Sequence, residues 1–141
     1  MINDAKFTLH PTLEQDTFFV TDLPLCRVLL MNNALFPWLI MVPRRADLKE
    51  ITDLSLIDRH ALMDEMSLVS DYIEDIFEPD KINIGALGNM VSQLHIHVIG
   101  RYKEDSAWPQ PVWGKESHAY TDSIKDMMMQ RLEGLSEKKS E

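Results

Sequence analysis

In Gln93-Leu94-His95-Ile96-His97-Val98-Ile99, polar and apolar side chains alternate from Gln93 to Val98. Such alternation belongs to an extended strand with two unlike faces, because successive side chains point to opposite sides. Leu94, Ile96 and Val98 are assigned to the core, so Gln93, His95 and His97 project from the other face. Positions two apart on a strand are separated by ~6.6 Å. Neighbouring polar groups on that face can therefore address different atoms of one phosphate.

The rest of the chain supplies partners for such a strand. Thr17–Thr21 and Cys26–Met31 read as two strands joined at Asp22-Leu23-Pro24, a short hairpin turn. Asn32–Pro37 reads as a loop and Trp38–Val42 as a third strand ended by Pro43. Ser55–Phe77 is predicted as a long helix. Ser55 and Asp58 have capping-box spacing, and Leu62, Met66, Val69, Ile73 and Ile76 fall on one stripe. Lys81–Ala86 reads as the fourth strand, Gly85 and Gly88 bracket a turn, and Gln93–Arg101 is the fifth strand. Ala119–Leu132 is predicted as a second amphipathic helix stopped by Gly134. These elements predict an α+β fold with a mostly antiparallel sheet. One domain is expected over residues 1–134, followed by a polar, disordered tail over 135–141.

Composition narrows the function classes. The 141 residues carry a net charge of −9, which argues against binding nucleic acid through many phosphate contacts. A small anion remains possible, since a few backbone N–H groups suffice to hold it. No apolar run approaches the ~20 residues of a membrane span, and Met1–Lys6 lacks the pattern of a signal peptide. The single cysteine, Cys26, excludes an internal disulfide and a multi-cysteine zinc site. A cytoplasmic protein with no membrane partner is expected. Arg44, Arg45 and Arg101 could help hold an anion, but on so acidic a chain they read more readily as surface ion pairs, and His10, His60 and His118 read as surface residues.

The two strand histidines carry the chemistry. Imidazole titrates near ~6.5, so much of it is uncharged and nucleophilic at neutral pH. It can attack phosphorus and form a transient phosphoramidate. A second imidazole can neutralise phosphoryl charge or protonate a leaving group. From the segment alone three readings stand: solvated surface histidines, a His-x-His metal pair, and a nucleophile with its helper. The nearest acids, Glu104 and Asp105, lie beyond the strand end, so the metal pair has no adjacent third ligand.

The segment resembles the histidine triad (HIT) motif, His-φ-His-φ-His-φ-φ with φ apolar, with Gln93 in place of the first histidine. Leu29–Asn33 followed by Phe36–Pro43 is similar to the family's ribose-side strand pair. Asn83–Asn89 is similar to the strand and glycine turn before the motif, and Trp108-Pro109 to the Trp-Pro after it. The resemblance implies a five-stranded antiparallel sheet with one long and one C-terminal helix, assembled as a homodimer. It implies a hydrolase or transferase acting on the α-phosphate of nucleotide conjugates, either nucleoside phosphoramidates or dinucleoside polyphosphates, through a nucleotidyl-histidine intermediate. A nucleotide-binding protein with little turnover is the alternative. His95 would be the nucleophile, His97 would contact the phosphate or leaving group, and Gln93 would orient a phosphate oxygen or the His95 ring. Asn32 would reach the ribose, Asn83 would support the phosphate side, and Gly88 and Asn89 would offer donors to phosphate. No cofactor or metal is expected. Trp38 stands where many members have a further histidine. Trp108 and Trp113 are expected to lid the site, cross a dimer interface or pack as satellite core.

Overall fold

The computed structural model describes residues 5–138. The start of the chain, where no signal peptide is expected, and residues 139–141 of the expected tail lie outside the described residues. In chain order the elements are α1 (Pro11–Asp16), β1 (Thr17–Asp22), β2 (Cys26–Met31), β3 (Trp38–Pro43), a 3-10 turn (Ile51–Asp53), α2 (Leu56–Phe77), β4 (Lys81–Gly85), β5 (Ile96–Arg101) and α3 (Asp122–Lys138). The strands form one sheet in the order β1-β2-β3-β5-β4. Every neighbouring pair is antiparallel, as the α+β reading predicts.

Both faces of the sheet are packed. On one, Val28, Leu30, Leu39, Met41, Ile96 and Val98 meet Leu62, Val69 and Ile73 of α2 and Leu132 and Leu135 of α3. On the other, Leu29, Trp38, Ile40, Val42 and Ile99 meet Leu13 of α1 and Ala107 and Val112 of the loop after β5. The strand alternation therefore sorts residues between two apolar layers rather than between core and water. The histidine face is a recess within the second layer.

Local chemistry sets the element ends. Ser55 Oγ accepts from the Asp58 N–H at 3.1 Å and caps α2. The Asp58 carboxylate pairs with Arg45 at 2.9 Å. At the other end Glu78 turns left-handed at φ 48°, and Pro79 prevents further helix. Within α2 the buried Glu65 accepts from the N–H groups of Leu25 and Cys26, each at 2.8 Å, which ties the helix to the β1–β2 hairpin.

The structure corrects several expectations. Helix α3 starts at Asp122 and runs through Gly134 to Lys138 instead of stopping, and Leu135 is buried. Residues 135–138, expected in the tail, are part of this helix. Gly134 serves close packing, since a Cβ there would lie 2.8 Å from the Tyr72 hydroxyl. Arg44 and Arg101 are buried rather than at the surface. Arg44 donates to the Leu23 carbonyl at 2.7 Å and pairs with Asp22 at 2.9 Å. The fifth strand begins at Ile96, not Gln93.

Candidate active site

His97 sits on β5 between Ile40 of β3 and Gly85 of β4. Gly85 makes room for an indole above the sheet, because a Cβ at that position would lie 2.9 Å from Trp113. The Trp113 ring meets His97 edge-on, with centroids 5.4 Å apart, and meets Trp38 at 6.3 Å. His95 lies just before the strand, its ring centroid 4.9 Å from that of His97. Both histidines are only 7% exposed, which rules out the reading as solvated surface residues.

Hydrogen bonds assign each ring a tautomer. His95 Nδ1 lies 2.7 Å from the Gln93 carbonyl oxygen. A carbonyl can only accept, so Nδ1 carries the proton and Nε2 keeps its lone pair when the ring is neutral. The opposite arrangement holds at His97. Trp38 Nε1–H donates to His97 Nδ1 at 3.0 Å, so the proton of neutral His97 is on Nε2. Burial, and after it the positive charge that His95 can carry, lower the His97 pKa to about 4. His97 is therefore uncharged at neutral pH.

Both rings line a cavity of about 500 Å³. Leu13, Met31, Ile40 and Val91 give it apolar walls, Trp38 and Trp113 flank His97, and Thr12, Asp16 and Asn89 add polar groups. A second cavity of about 170 Å³ shares Leu87, Gly88 and His95 with the first. Lys49, Glu50 and Thr52 contribute its polar lining. Gly88, at φ 73°, makes a left-handed turn within the segment 87–91, which lines the first cavity with both histidines.

The structure thus brings together His95, His97, Gly88 and Asn89 of the expected site residues. It places three others elsewhere. The Gln93 side chain turns to the N-terminal segment, accepting from the His10 N–H at 2.8 Å and donating to the Thr8 carbonyl at 2.9 Å. Only its main-chain carbonyl meets the His95 ring. Asn32 Oδ1 accepts from the Tyr120 N–H at 2.8 Å and anchors the segment leading to α3. Asn83 Oδ1 accepts from Arg101 Nη1 at 2.9 Å, and Asn83 does not line the cavity. Trp108 packs over Arg101 at 5.7 Å, while Trp113 alone of the loop tryptophans lines the cavity.

Sequence reasoning missed the α1 contribution, Thr12, Leu13 and Asp16. The available signal was His10-Pro11: the His10 ring accepts from the Thr12 N–H at 3.1 Å, and proline occupies the first helical turn. No group of three or more His, Cys, Asp or Glu among the described residues could hold a metal ion. The Nδ1 atoms of both site histidines are engaged with protein partners.

The comparisons agree with this fold. The HIT domain family model matches residues 12–104, and the chain belongs to the HIT family. It is similar to a histidine triad protein from Marinobacter aquaeolei, with 43% identity over 94% of this chain and 97% of that one and a TM-score of 0.91. A histidine triad protein from Bradyrhizobium japonicum gives 44% identity over 89% and 95% of the two chains and a TM-score of 0.87. One from Sinorhizobium meliloti gives 42% identity over 90% and 95%, also with a TM-score of 0.87. No curated protein shows a significant match. No helix among the described residues is long and apolar enough to cross a membrane.

Proposed function

We propose that this protein is a hydrolase or transferase acting on the α-phosphate of nucleotide conjugates through a nucleotidyl-histidine intermediate. The observation that carries the reading is the His95 Nδ1 bond to the Gln93 carbonyl, which leaves Nε2 unprotonated on a neutral ring that lines a cavity with His97. Nε2 of His95 attacks phosphorus and the P–leaving-group bond breaks. The Gln93 carbonyl stabilises the positive charge that the modified ring acquires. Water then attacks phosphorus and returns the electron pair to Nε2. The apolar walls from Leu13, Met31, Ile40 and Val91 suit a nucleobase, and Asp16 offers a carboxylate to ribose hydroxyls. The smaller cavity beside Lys49 and Thr52 offers room for the leaving group.

The reading includes the homodimer implied by the family resemblance and the cytoplasmic setting expected from the sequence. Its test is a turnover screen of nucleoside phosphoramidates, dinucleoside polyphosphates and other nucleotide mixed anhydrides. Release of nucleoside monophosphate that persists in a strong chelator is expected. Tight binding of nucleotides with no product from any conjugate would instead support a binding protein.

A further inference from the structure

We propose that Trp38 is a positioning residue that holds His97 as a neutral hydrogen-bond donor unable to release its proton, and so restricts the enzyme to conjugates whose leaving group departs as a stable oxyanion. Phosphate, sulfate and carboxylate are such groups; an amine is not. The inference rests on the hydrolase reading above and specifies its substrate class.

The indole Nε1–H has no acceptor capacity. Its bond to His97 Nδ1, at 3.0 Å, requires a lone pair on that nitrogen. An imidazolium at His97 would set two N–H groups against each other. Trp38 is firmly seated: it lies on β3 directly beside β5, is buried, and meets the edges of Phe36 at 6.4 Å and Trp113 at 6.3 Å. His97 is held among Trp38, Trp113, Ile40 and His95. The other titratable side chains lining the cavity, among the described residues, are His95 and Asp16.

A general acid at this place has to give a proton and be left stable. An imidazolium that loses a proton becomes neutral imidazole. Neutral His97 losing its Nε2 proton would become imidazolate, a strongly basic anion, and Trp38 cannot relay a proton to Nδ1. His97 can therefore donate a hydrogen bond to the phosphoryl or leaving-group oxygen but cannot protonate it. With an anhydride the step balances without proton transfer. His95 Nε2 forms the P–N bond, and the P–O pair leaves on a phosphate, sulfate or carboxylate oxygen. Water later displaces His95 and loses its proton to solvent. With a phosphoramidate the departing nitrogen needs a proton that neither His97 nor Trp38 supplies.

The test compares two conjugates of adenosine monophosphate, its mixed anhydride with sulfate and an N-alkyl phosphoramidate. The anhydride is expected to react with a kcat/KM at least about a hundredfold higher, a difference of ~2.7 kcal/mol in transition-state stabilisation. Trp38→His, which places a ring able to pass a proton behind Nδ1, is expected to narrow that ratio by at least tenfold. Nitrogen-15 spectra of the wild-type protein should show His97 protonated at Nε2 and accepting at Nδ1. Equal or faster turnover of the phosphoramidate, or a His97 protonated at Nδ1, overturns the proposal while leaving the hydrolase reading intact. Failure of both conjugates together with no modification of His95 overturns the hydrolase reading itself.

Discussion

His95→Ala is expected to lower turnover by at least about a thousandfold, the scale seen when an enzyme loses the atom that forms its covalent intermediate. The remaining site could still bind nucleotide, since the apolar walls, Asp16 and His97 are unchanged. KM should therefore move much less than kcat. The fold should survive. The substitution removes the bond between His95 Nδ1 and the Gln93 carbonyl, worth about 1 kcal/mol, and the vacated space joins an existing cavity. Steady-state kinetics beside a thermal melt separate the two effects. A folded variant within tenfold of wild-type kcat would remove His95 from the nucleophile's role.

Asp105→Ala is expected to destabilise the protein by about 3–5 kcal/mol, the cost of leaving a buried charge without its partner. Arg101 and Asp105 keep only 2% and 4% of their side-chain exposure. The Asp105 carboxylate accepts from Arg101 Nε at 2.8 Å and Nη2 at 3.1 Å. It also accepts from the N–H groups of Tyr102 at 3.0 Å, Ala107 at 3.0 Å and Trp108 at 2.7 Å. Without it, Arg101 would keep the Asn83 oxygen at 2.9 Å and the ring faces of Phe36 and Trp108. The same carboxylate shapes the loop that delivers Val112 to the second core layer and Trp113 to His97.

Burial alone would raise the Asp105 pKa, but the Arg101 bonds and the three main-chain donors outweigh it and lower it to about 2. A depressed carboxylate stabilises the fold above its ordinary pKa, and that contribution is lost as the pH falls from 3.8 through about 2. Chemical denaturation should show the loss in the variant at neutral pH. The wild type should approach the variant under strong acid. A loss below 1 kcal/mol would show that Arg101 finds water or another partner.

The strands were legible because strand alternation and turn residues are local signals, clearest where three residues join β1 to β2. The pairing of His95 with His97 was legible for the same reason. The role of Gln93 was not. The strand starts three residues later, and the amide side chain is claimed by Thr8 and His10, partners more than 80 positions away. Asn32 and Asn83 fit ligand contacts by type, yet their side-chain oxygens accept from long-range partners, Tyr120 and Arg101. Gly134 has the composition of a helix stop, but it lies inside α3, where the missing Cβ leaves room for Tyr72 of α2. Trp38 read as a lost imidazole. Only its geometry shows that the indole N–H reaches His97 and fixes its tautomer.

Rapid quenching of the wild-type protein with a nucleotide anhydride, followed by intact-mass analysis and peptide mapping, tests the covalent mechanism most directly. A transient mass increase of one nucleoside monophosphate minus water is expected, located on the peptide carrying His95 and absent from His95→Ala. Product formation with no such adduct under any quench time, or an adduct mapped to another residue, would contradict that mechanism.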